Sequence, residues 1–154
     1  MSENKREFQK AKLIAFRLLK IRGRSEEELT KRLKLKNIPS EITSETIGYL
    51  KIAGLINDRR FAKDWIQSRL NRPFGLRRIW LELKEKGIDP EIIKEELAHV
   101  KAGYQENDIV ETLAKRRAAR YTNIDSQKRK KHVFDYLARR GFSLESIHKV
   151  IKEL

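Results

Sequence analysis

The 154-residue sequence contains no cysteine, which excludes disulfide bonds and cysteine-ligated metal sites. Its apolar runs, such as residues 13–16, are far shorter than the roughly 20 residues that a membrane-spanning helix requires. The N-terminal segment also lacks the apolar stretch of a secretion signal. We therefore expect a cytoplasmic protein that makes no use of a membrane.

Proline and glycine are scarce, with 3 and 7 residues, and they separate segments rather than fill long loops. Between them the apolar residues follow helical spacing, as in Leu76, Ile79 and Leu83. No stretch alternates apolar and polar residues for long enough to indicate a strand. We predict an all-α protein with helices over residues 5–22, 25–36, 40–53, 58–71, 75–86, 89–100, 106–121, 126–140 and 143–153.

One short pattern occurs three times: a basic helix end, a turn residue, an apolar residue and a new helix start. Its turn residues are Asn37, Gly87 and Gly141, separated by 50 residues (37 to 87) and 54 residues (87 to 141). A period of this length is typical of one supersecondary unit stacked along an axis. We predict three tandem three-helix repeats stacked into an elongated, curved array, with boundaries at residues 1–56, 57–103 and 104–154.

Several helix ends are predicted by their chemistry. Ser25 and Glu28 have the spacing of a capping box. Gly87 is suited to the left-handed residue that closes a helix. Asp89 can cap the following helix, with Pro90 at its first position.

Acidic residues are too few to balance the basic ones, since 36 Lys and Arg face 22 Asp and Glu for a net charge of +14. The excess is spread over the three predicted repeats, with nets of +6 (13 minus 7), +3 (11 minus 8) and +5 (12 minus 7). Such a chain attracts a polyanion, which could be nucleic acid, an acidic protein groove or an anionic membrane surface. The alternative is a charged surface that serves solubility or heat tolerance.

Two basic clusters stand at unfavourable places. Arg77 and Arg78 fall in the first turn of a predicted helix, and residues 128–131 open another. A cation there opposes the helix dipole at a cost of about 0.3–1 kcal/mol. Cations together with free helix amides can bind an anion, although a solvated run of charge is the simpler alternative.

Catalytic chemistry has no candidate in this sequence. The three histidines, His99, His132 and His148, share no metal-ligand spacing, and we expect them on the surface. No glycine-rich phosphate loop is present. We predict a protein that is not an enzyme and needs no metal or cofactor. Trp65 and Trp80 are expected in the core, while Tyr136 could be core or surface.

Four segments in order carry a resemblance to a known family: residues 15–19 (AFRLL), 54–62 (GLINDRRFA), 75–79 (GLRRI) and 137–142 (LARRGF). Together they resemble the RecX family of bacterial recombination regulators over essentially the whole chain. Leu55 stands where the family commonly has an aromatic residue, and Asn57 replaces its first aspartate. Asn37 replaces the glycine of the first repeat.

The resemblance implies tandem three-helix units and a regulator of RecA, acting in recombination, DNA repair and the SOS response. Family members bind the RecA–single-stranded DNA filament and suppress its recombinase, ATPase and co-protease activities. The implied partner is therefore the RecA filament, with direct contact to single- or double-stranded DNA left open. We expect the chain to be a monomer.

The residues that we expect to hold acidic filament surface or phosphate are cations of these motifs. They are Arg77, Arg78, Lys84, Lys86, Arg60, Lys128, Arg129, Lys130, Arg139 and Arg140. Arg60 has a structural alternative, which is pairing with Asp58 or Asp64 at a repeat junction. The competing hypothesis for the whole chain is a helix-turn-helix module that binds nucleic acid directly, without RecA.

Overall fold

The computed structural model describes residues 2–154, and all of its regular secondary structure in that range is α-helical. The helices are α1 (Glu3–Ile21), α2 (Glu26–Leu35), α3 (Ser40–Ile52), α4 (Asp58–Leu70), α5 (Leu76–Glu85), α6 (Pro90–Lys101), α7 (Glu106–Ala118), α8 (Ser126–Arg139) and α9 (Leu144–Ile151). The predicted all-α class and the order of nine helices in the described range are confirmed. The largest error is at the end of α7, which stops at Ala118 rather than residue 121.

The predicted helix ends are also confirmed. Ser25 forms the full capping box with Glu28. Gly87 and Gly141 have φ values of 76° and 82°, the left-handed region that glycine adopts without strain. Asn37 has the same conformation at φ 61°, so asparagine replaces glycine in the first occurrence of the pattern.

The chain forms two compact units. The first comprises the chain up to Asp64 together with Leu83–Ile93, and the second comprises Trp65–Glu82 with Lys94–Leu154. The boundaries fall inside α4, α5 and α6. The residues of the middle predicted repeat are therefore shared between the two units.

The core of the first unit is built around α1, α2 and α3. Ala11 and Ala15 are fully buried on α1, where their small side chains allow close packing of the neighbouring helices. Larger side chains fill the rest of this core, and burying each one contributes about 1.5–3 kcal/mol. They are Leu29, Leu33, Ile38, Ile42, Ile47, Leu50 and Ile56.

The core of the second unit is supplied mainly by α7, α8 and α9. Its buried residues are Val110, Leu113, Ala114, Val133, Leu137, Phe142, Ile147 and Val150. A polar link supports it, because the Glu106 carboxylate accepts hydrogen bonds from the Ser143 amide at 2.8 Å and from the Ser146 hydroxyl at 3.1 Å. Glu106 thereby ties the start of α7 to the start of α9.

Among the described residues, no helix is both long and apolar enough to span a membrane.

Candidate functional site: an arginine–aromatic cluster

The predicted cations Lys84 and Lys86 lie in the first unit, beside acidic groups of the chain itself. The Lys86 ammonium is 3.6 Å from the Glu28 carboxylate, and the Lys86 carbonyl accepts a 2.6 Å hydrogen bond from the Ser25 hydroxyl. Lys84 lines a cleft together with Glu26 and Asp58. The contacts of Lys86 therefore support the packing of this unit.

Glu28 is the centre of that arrangement. Burial of its carboxylate raises the pKa, but hydrogen bonds from the Arg22 guanidinium and the Ser25 amide outweigh this effect, so the pKa of Glu28 lies below its ordinary value. The carboxylate therefore stays ionised and holds cations from both sides. Asp58 adds a second link, accepting a 2.9 Å hydrogen bond from the Glu26 amide.

Arg60 is exposed and donates a 3.1 Å hydrogen bond to the Gly54 carbonyl. The sequence suggested that Arg60 could pair with Asp58 or Asp64. Its hydrogen-bond partner is instead a backbone oxygen of the preceding turn. The Asn57 side chain accepts a 2.9 Å hydrogen bond from the Arg60 amide and so caps α4. Arg60 thus helps to order the 54–57 turn at the start of α4.

The second unit holds the remaining predicted cations. Arg77, Lys128 and Arg139 are exposed, while Arg129 and Lys130 are half-buried. The first turn of α8 contains no acidic residue, and its N-cap, Asp125, makes no side-chain capping bond. The basic start of α8 is therefore not neutralised from within its own first turn.

Arg78 and Arg140 belong to a larger arrangement in which arginines stack on aromatic rings four residues away. The distances from guanidinium carbon to ring centroid are 4.6 Å for Arg69 over Trp65 and 4.0 Å for Arg78 over Phe74. Tyr136 and Arg140 repeat the spacing at 4.8 Å, and Arg117 and Tyr121 at 5.6 Å. All four lie within the range of a cation–π interaction. We name these eight residues the arginine–aromatic cluster.

Contacts between helices join these four pairs into one continuous surface feature. The Phe74 ring also lies 5.6 Å from the Arg69 guanidinium and 5.5 Å from that of Arg140. The Tyr136 ring lies 4.6 Å from Arg117. The groups therefore contact one another in the spatial order Trp65, Arg69, Phe74, Arg140, Tyr136, Arg117 and Tyr121. Arg78 is the third guanidinium beside the Phe74 ring. Tyr121 in turn stacks on the exposed His132 ring at 4.6 Å.

One carboxylate, Glu82, offsets part of the positive charge of the cluster. It accepts hydrogen bonds from Arg69 at 2.8 Å and Arg78 at 3.2 Å, and also from the Trp65 indole at 2.8 Å. No carboxylate in the described part of the chain lies within ion-pair distance of Arg117 or Arg140. Four guanidiniums and one carboxylate leave three positive charges on a small area. The cluster therefore carries a net positive charge.

Close backbone packing fixes the two halves of the cluster against each other. The Gly75 amide donates a 2.7 Å hydrogen bond to the Arg140 carbonyl, and the Arg140 guanidinium donates one of 3.3 Å to the Pro73 carbonyl. A Cβ atom on Gly75 would overlap the Gly141 carbonyl, and a Cβ on Gly141 would overlap Arg78. The glycines therefore allow the end of α8 to approach the start of α5.

This packing engages one backbone amide at the expected anion site at the start of α5. Of the amides at this helix start, that of Gly75 is bonded to the Arg140 carbonyl. Arg78 meanwhile is bonded to Glu82 and stacked on Phe74. A carbonyl at the end of α8 thus faces the partial positive charge at the start of α5. Among the first-turn arginines, Arg77 is the one left exposed to solvent.

Four members of the cluster were not predicted as site residues, namely Arg69, Phe74, Arg117 and Tyr121. The signal that identifies them is the i, i+4 spacing of arginine and aromatic residues. It places Trp65 and Arg69 on one helical face, and it brings the other three pairs together at helix ends. Trp65 and Trp80 are half-buried rather than core residues, and all three histidines are exposed as expected.

Comparison with protein-family models matches all three parts of the chain. The first, second and third three-helix domains of RecX match residues 11–50, 57–97 and 104–151.

Relatives of similar sequence agree with the family models. The chain is 35% identical to the Regulatory protein RecX of Amycolatopsis mediterranei (strain U-32), over 95% of this chain and 83% of the relative. It is 30% identical to the Regulatory protein RecX of Caldanaerobacter subterraneus subsp. tengcongensis, over 94% of this chain and 71% of the relative.

Solved structures have the same fold. A crystal structure of RecX from Lactobacillus salivarius superposes with a TM-score of 0.81 at 28% identity, covering 96% of each chain. A second crystal structure, of regulatory protein RecX, gives a TM-score of 0.83 at 26% identity over 96% of this chain and 74% of that one. Three domain matches in order, and relatives alike over nearly the whole chain, show that this protein belongs to the RecX family.

Proposed function

We propose that this protein regulates RecA by binding the RecA–single-stranded DNA filament and suppressing its recombinase, ATPase and co-protease activities. Membership of a family whose relatives are named regulatory proteins supports a regulatory role. The observation that carries the proposal is the arginine–aromatic cluster, because it concentrates positive charge on side chains with fixed positions. A filament of protein and nucleic acid presents both acidic side chains and phosphates to such a surface.

The stacked arrangement suits the capture of carboxylates or phosphates. Each guanidinium lies against one or two rings, and guanidinium N–H groups can donate to carboxylate or phosphate oxygen atoms in pairs. Because the side chains are already ordered by stacking, little conformational entropy is lost on binding. Arg117 and Arg140, which lack a carboxylate partner, are the members most available to an acidic partner.

The exposed cations next to these arginines extend the surface. Arg77 and Arg139 are sequence neighbours of Arg78 and Arg140, and Lys128, Arg129 and Lys130 open α8 in the same unit. We assign the binding role to these residues and to the cluster. Lys84, Lys86 and Arg60, which lie in the first unit, stay predicted binding residues outside this surface.

Direct nucleic-acid binding without RecA is the competing function, favoured by the four consecutive cations at 128–131. When the nucleic acid is single-stranded, such binding usually relies on aromatic rings that stack on bases. Here arginines occupy faces of Trp65, Phe74, Tyr121 and Tyr136. The covered rings favour an acidic protein surface or phosphate as the ligand over exposed bases.

The deciding experiment measures binding of the full chain to bare and to RecA-coated single-stranded DNA at two salt concentrations. We expect tighter binding to the coated strand at both. A direct nucleic-acid binder would instead bind the bare strand equally well, with affinity that falls steeply as salt rises. Equal affinity for the two strands would contradict the proposal.

Charge reversal tests the assigned surface. The double variant R77E/R139E is expected to weaken filament binding and the suppression of RecA ATPase activity by about tenfold or more, since several cations act together. A matched control reverses Lys101 and Lys152, which are exposed cations of the same unit outside the cluster. Equal losses in both double variants would show that only net charge matters and would remove these residues from the site.

A further inference from the structure

A second surface with a different composition lies on α1 in the first unit. One side of α1 packs into the core through Ala11 and Ala15. The other side carries Leu13 and Ile21, which are 56% and 76% exposed. Leu13, Arg17 and Ile21 are spaced four residues apart and therefore share a helical face. This face combines exposed apolar side chains with cations.

A groove of about 760 Å³ runs along this face. Its floor contains the apolar residues Leu13, Ile14 and Leu18. Its remaining lining residues are Arg6, Gln9, Lys10, Arg17 and Lys36. Four cations and no acidic residue line it, so an apolar floor has a uniformly positive rim. We name it the α1 groove.

We propose that the α1 groove binds an acidic amphipathic helix of a partner protein. Leucine-type side chains of such a helix would fill the apolar floor, as in other helix-in-groove complexes. Its glutamate or aspartate side chains would pair with Arg6, Lys10, Arg17 and Lys36 at the rim. The long cationic side chains can cover apolar surface with their stems while their charged ends reach outward.

Charge complementarity selects this occupant over the alternatives. A second copy of the chain carries the same +14 charge and would be repelled. Single-stranded nucleic acid matches the charge, but the groove lining offers no aromatic ring for base stacking. An anionic membrane also matches the charge, but a concave floor suits discrete side chains better than a flat lipid surface. The partner is therefore expected to be a protein segment.

This inference does not depend on the proposed RecA function. The groove lies in the first unit and uses none of the residues of the arginine–aromatic cluster, which lies in the second. A peptide that binds the groove can therefore be tested without RecA. Failure here would leave the RecA proposal intact, and the reverse also holds.

The test uses the full chain and a labelled synthetic peptide of about 18 residues, roughly five helical turns. Leucines occupy one face of the peptide, and glutamates and glutamines occupy the rest. A scrambled peptide of equal composition has the same charge but no apolar face. Fluorescence anisotropy is expected to show tighter binding of the amphipathic peptide, whereas equal binding of the two would overturn the proposal.

Matched variants locate the site. R17E and L13Q are expected to weaken peptide binding by about tenfold, or 1.4 kcal/mol. K20E makes the same charge change at an exposed α1 position outside the groove lining, and I52Q makes the same apolar change at a residue that is 92% exposed on α3. Both controls are expected to bind within about twofold of the original chain. Circular dichroism checks that all four keep their helical content.

Losses as large in K20E and I52Q as in R17E and L13Q would overturn the assignment. The same holds if an oligothymidylate strand or an anionic phosphatidylserine vesicle binds more tightly than the amphipathic peptide and loses affinity in R17E and L13Q. Tighter binding of the strand would assign the α1 groove to nucleic acid, and tighter binding of the vesicle would assign it to lipid.

Discussion

The amide of Gly75 lies 2.7 Å from the carbonyl oxygen of Arg140 and donates a hydrogen bond to it. This bond joins the residue that precedes α5 to the residue that follows α8. The partial charges of the two helix ends are opposite, so the contact is favourable. It also sets the distance between Phe74 and the Arg140 guanidinium, which stacks 5.5 Å from that ring. A backbone contact thus positions the charged side chains of the candidate site.

The first prediction concerns the space at Gly75. G75A is expected to destabilise the protein by about 1–3 kcal/mol, because the added methyl group would overlap backbone atoms that cannot move independently. Urea unfolding measures the change. G48A is the control, since Gly48 lies within α3 and no neighbouring atom comes within 4 Å of the place where its Cβ would lie. Alanine there is expected to stabilise the helix by about 0.5–1 kcal/mol. Destabilisation of similar size in both variants would contradict the packing argument.

The second prediction separates two adjacent arginines. R78M is expected to lower the free energy of unfolding by about 1 kcal/mol, because it removes the Phe74 stacking and one of the hydrogen bonds to Glu82. R77M should change it by less than about 0.5 kcal/mol, since Arg77 is exposed. Denaturant unfolding of both variants checks this. A larger loss in R77M than in R78M would show that the two roles are reversed.

The third prediction concerns Tyr104, whose hydroxyl donates a 2.9 Å hydrogen bond to the Phe74 carbonyl. Burial, with a smaller effect from the Glu106 charge, raises the pKa of Tyr104 to about 12 from an ordinary value of 10. Because the folded state retains the proton more strongly, stability is expected to fall as pH rises above about 10.

Tyrosinate absorbance during an alkaline titration tests this directly. One of the four tyrosines is expected to ionise near pH 12, and that step should disappear in Y104F. Y104F should also lower the free energy of unfolding by about 1 kcal/mol at neutral pH, because the Phe74 carbonyl loses its hydrogen-bond donor. A titration in which Y104F leaves the late step unchanged would assign it to another tyrosine.

The fourth prediction concerns acid. The pKa of Glu28 lies below its ordinary value of 4.5, so its ionised form stabilises the folded state at higher pH. That contribution is complete above pH 4.5 and is lost as pH falls through the lower folded-state pKa. E28Q is expected to lose about 1–2 kcal/mol at neutral pH, since Arg22 and Ser25 lose a charged acceptor.

Urea unfolding at neutral pH and at about pH 3 compares E28Q with the original chain. The difference in free energy of unfolding between the two proteins should be smaller at the acidic pH. E41Q is the control, because Glu41 is exposed in the first turn of α3. An equal difference in free energy of unfolding at both pH values would show that the Glu28 charge does not contribute to stability.

Most of the fold could be predicted from the sequence, because local chemistry determines the helix ends. The side chains of Ser25 and Ser143 accept hydrogen bonds from backbone amides at the starts of α2 and α9. Gly87 adopts the left-handed conformation just after the end of α5. The end of α7 was less predictable. Residues 119–121 continue its apolar pattern, but the chain turns there and the Tyr121 ring stacks on His132. That contact depends on α8, which local spacing does not describe.

The candidate site could be predicted only in part. Arg78 and Arg140 stand out as members of basic pairs, whereas Arg69 and Arg117 become significant only through the rings that they contact. The structural role of Lys86 was hidden for a similar reason, since its partner Glu28 lies 58 residues earlier in the chain (86 minus 28). Sequence patterns give the charge of a residue, and tertiary packing decides what that charge faces.

The absence of side chains at positions 75 and 141 has a consequence for homologous proteins. A homologue with any larger residue at either position must hold its fifth and eighth helices further apart, and the guanidinium at position 140 would then move off the ring at position 74. The two glycines can therefore serve as a paired marker. Homologues that keep both glycines are expected to share the arginine–aromatic cluster. Those that replace either one are expected to bind their partners through a different surface.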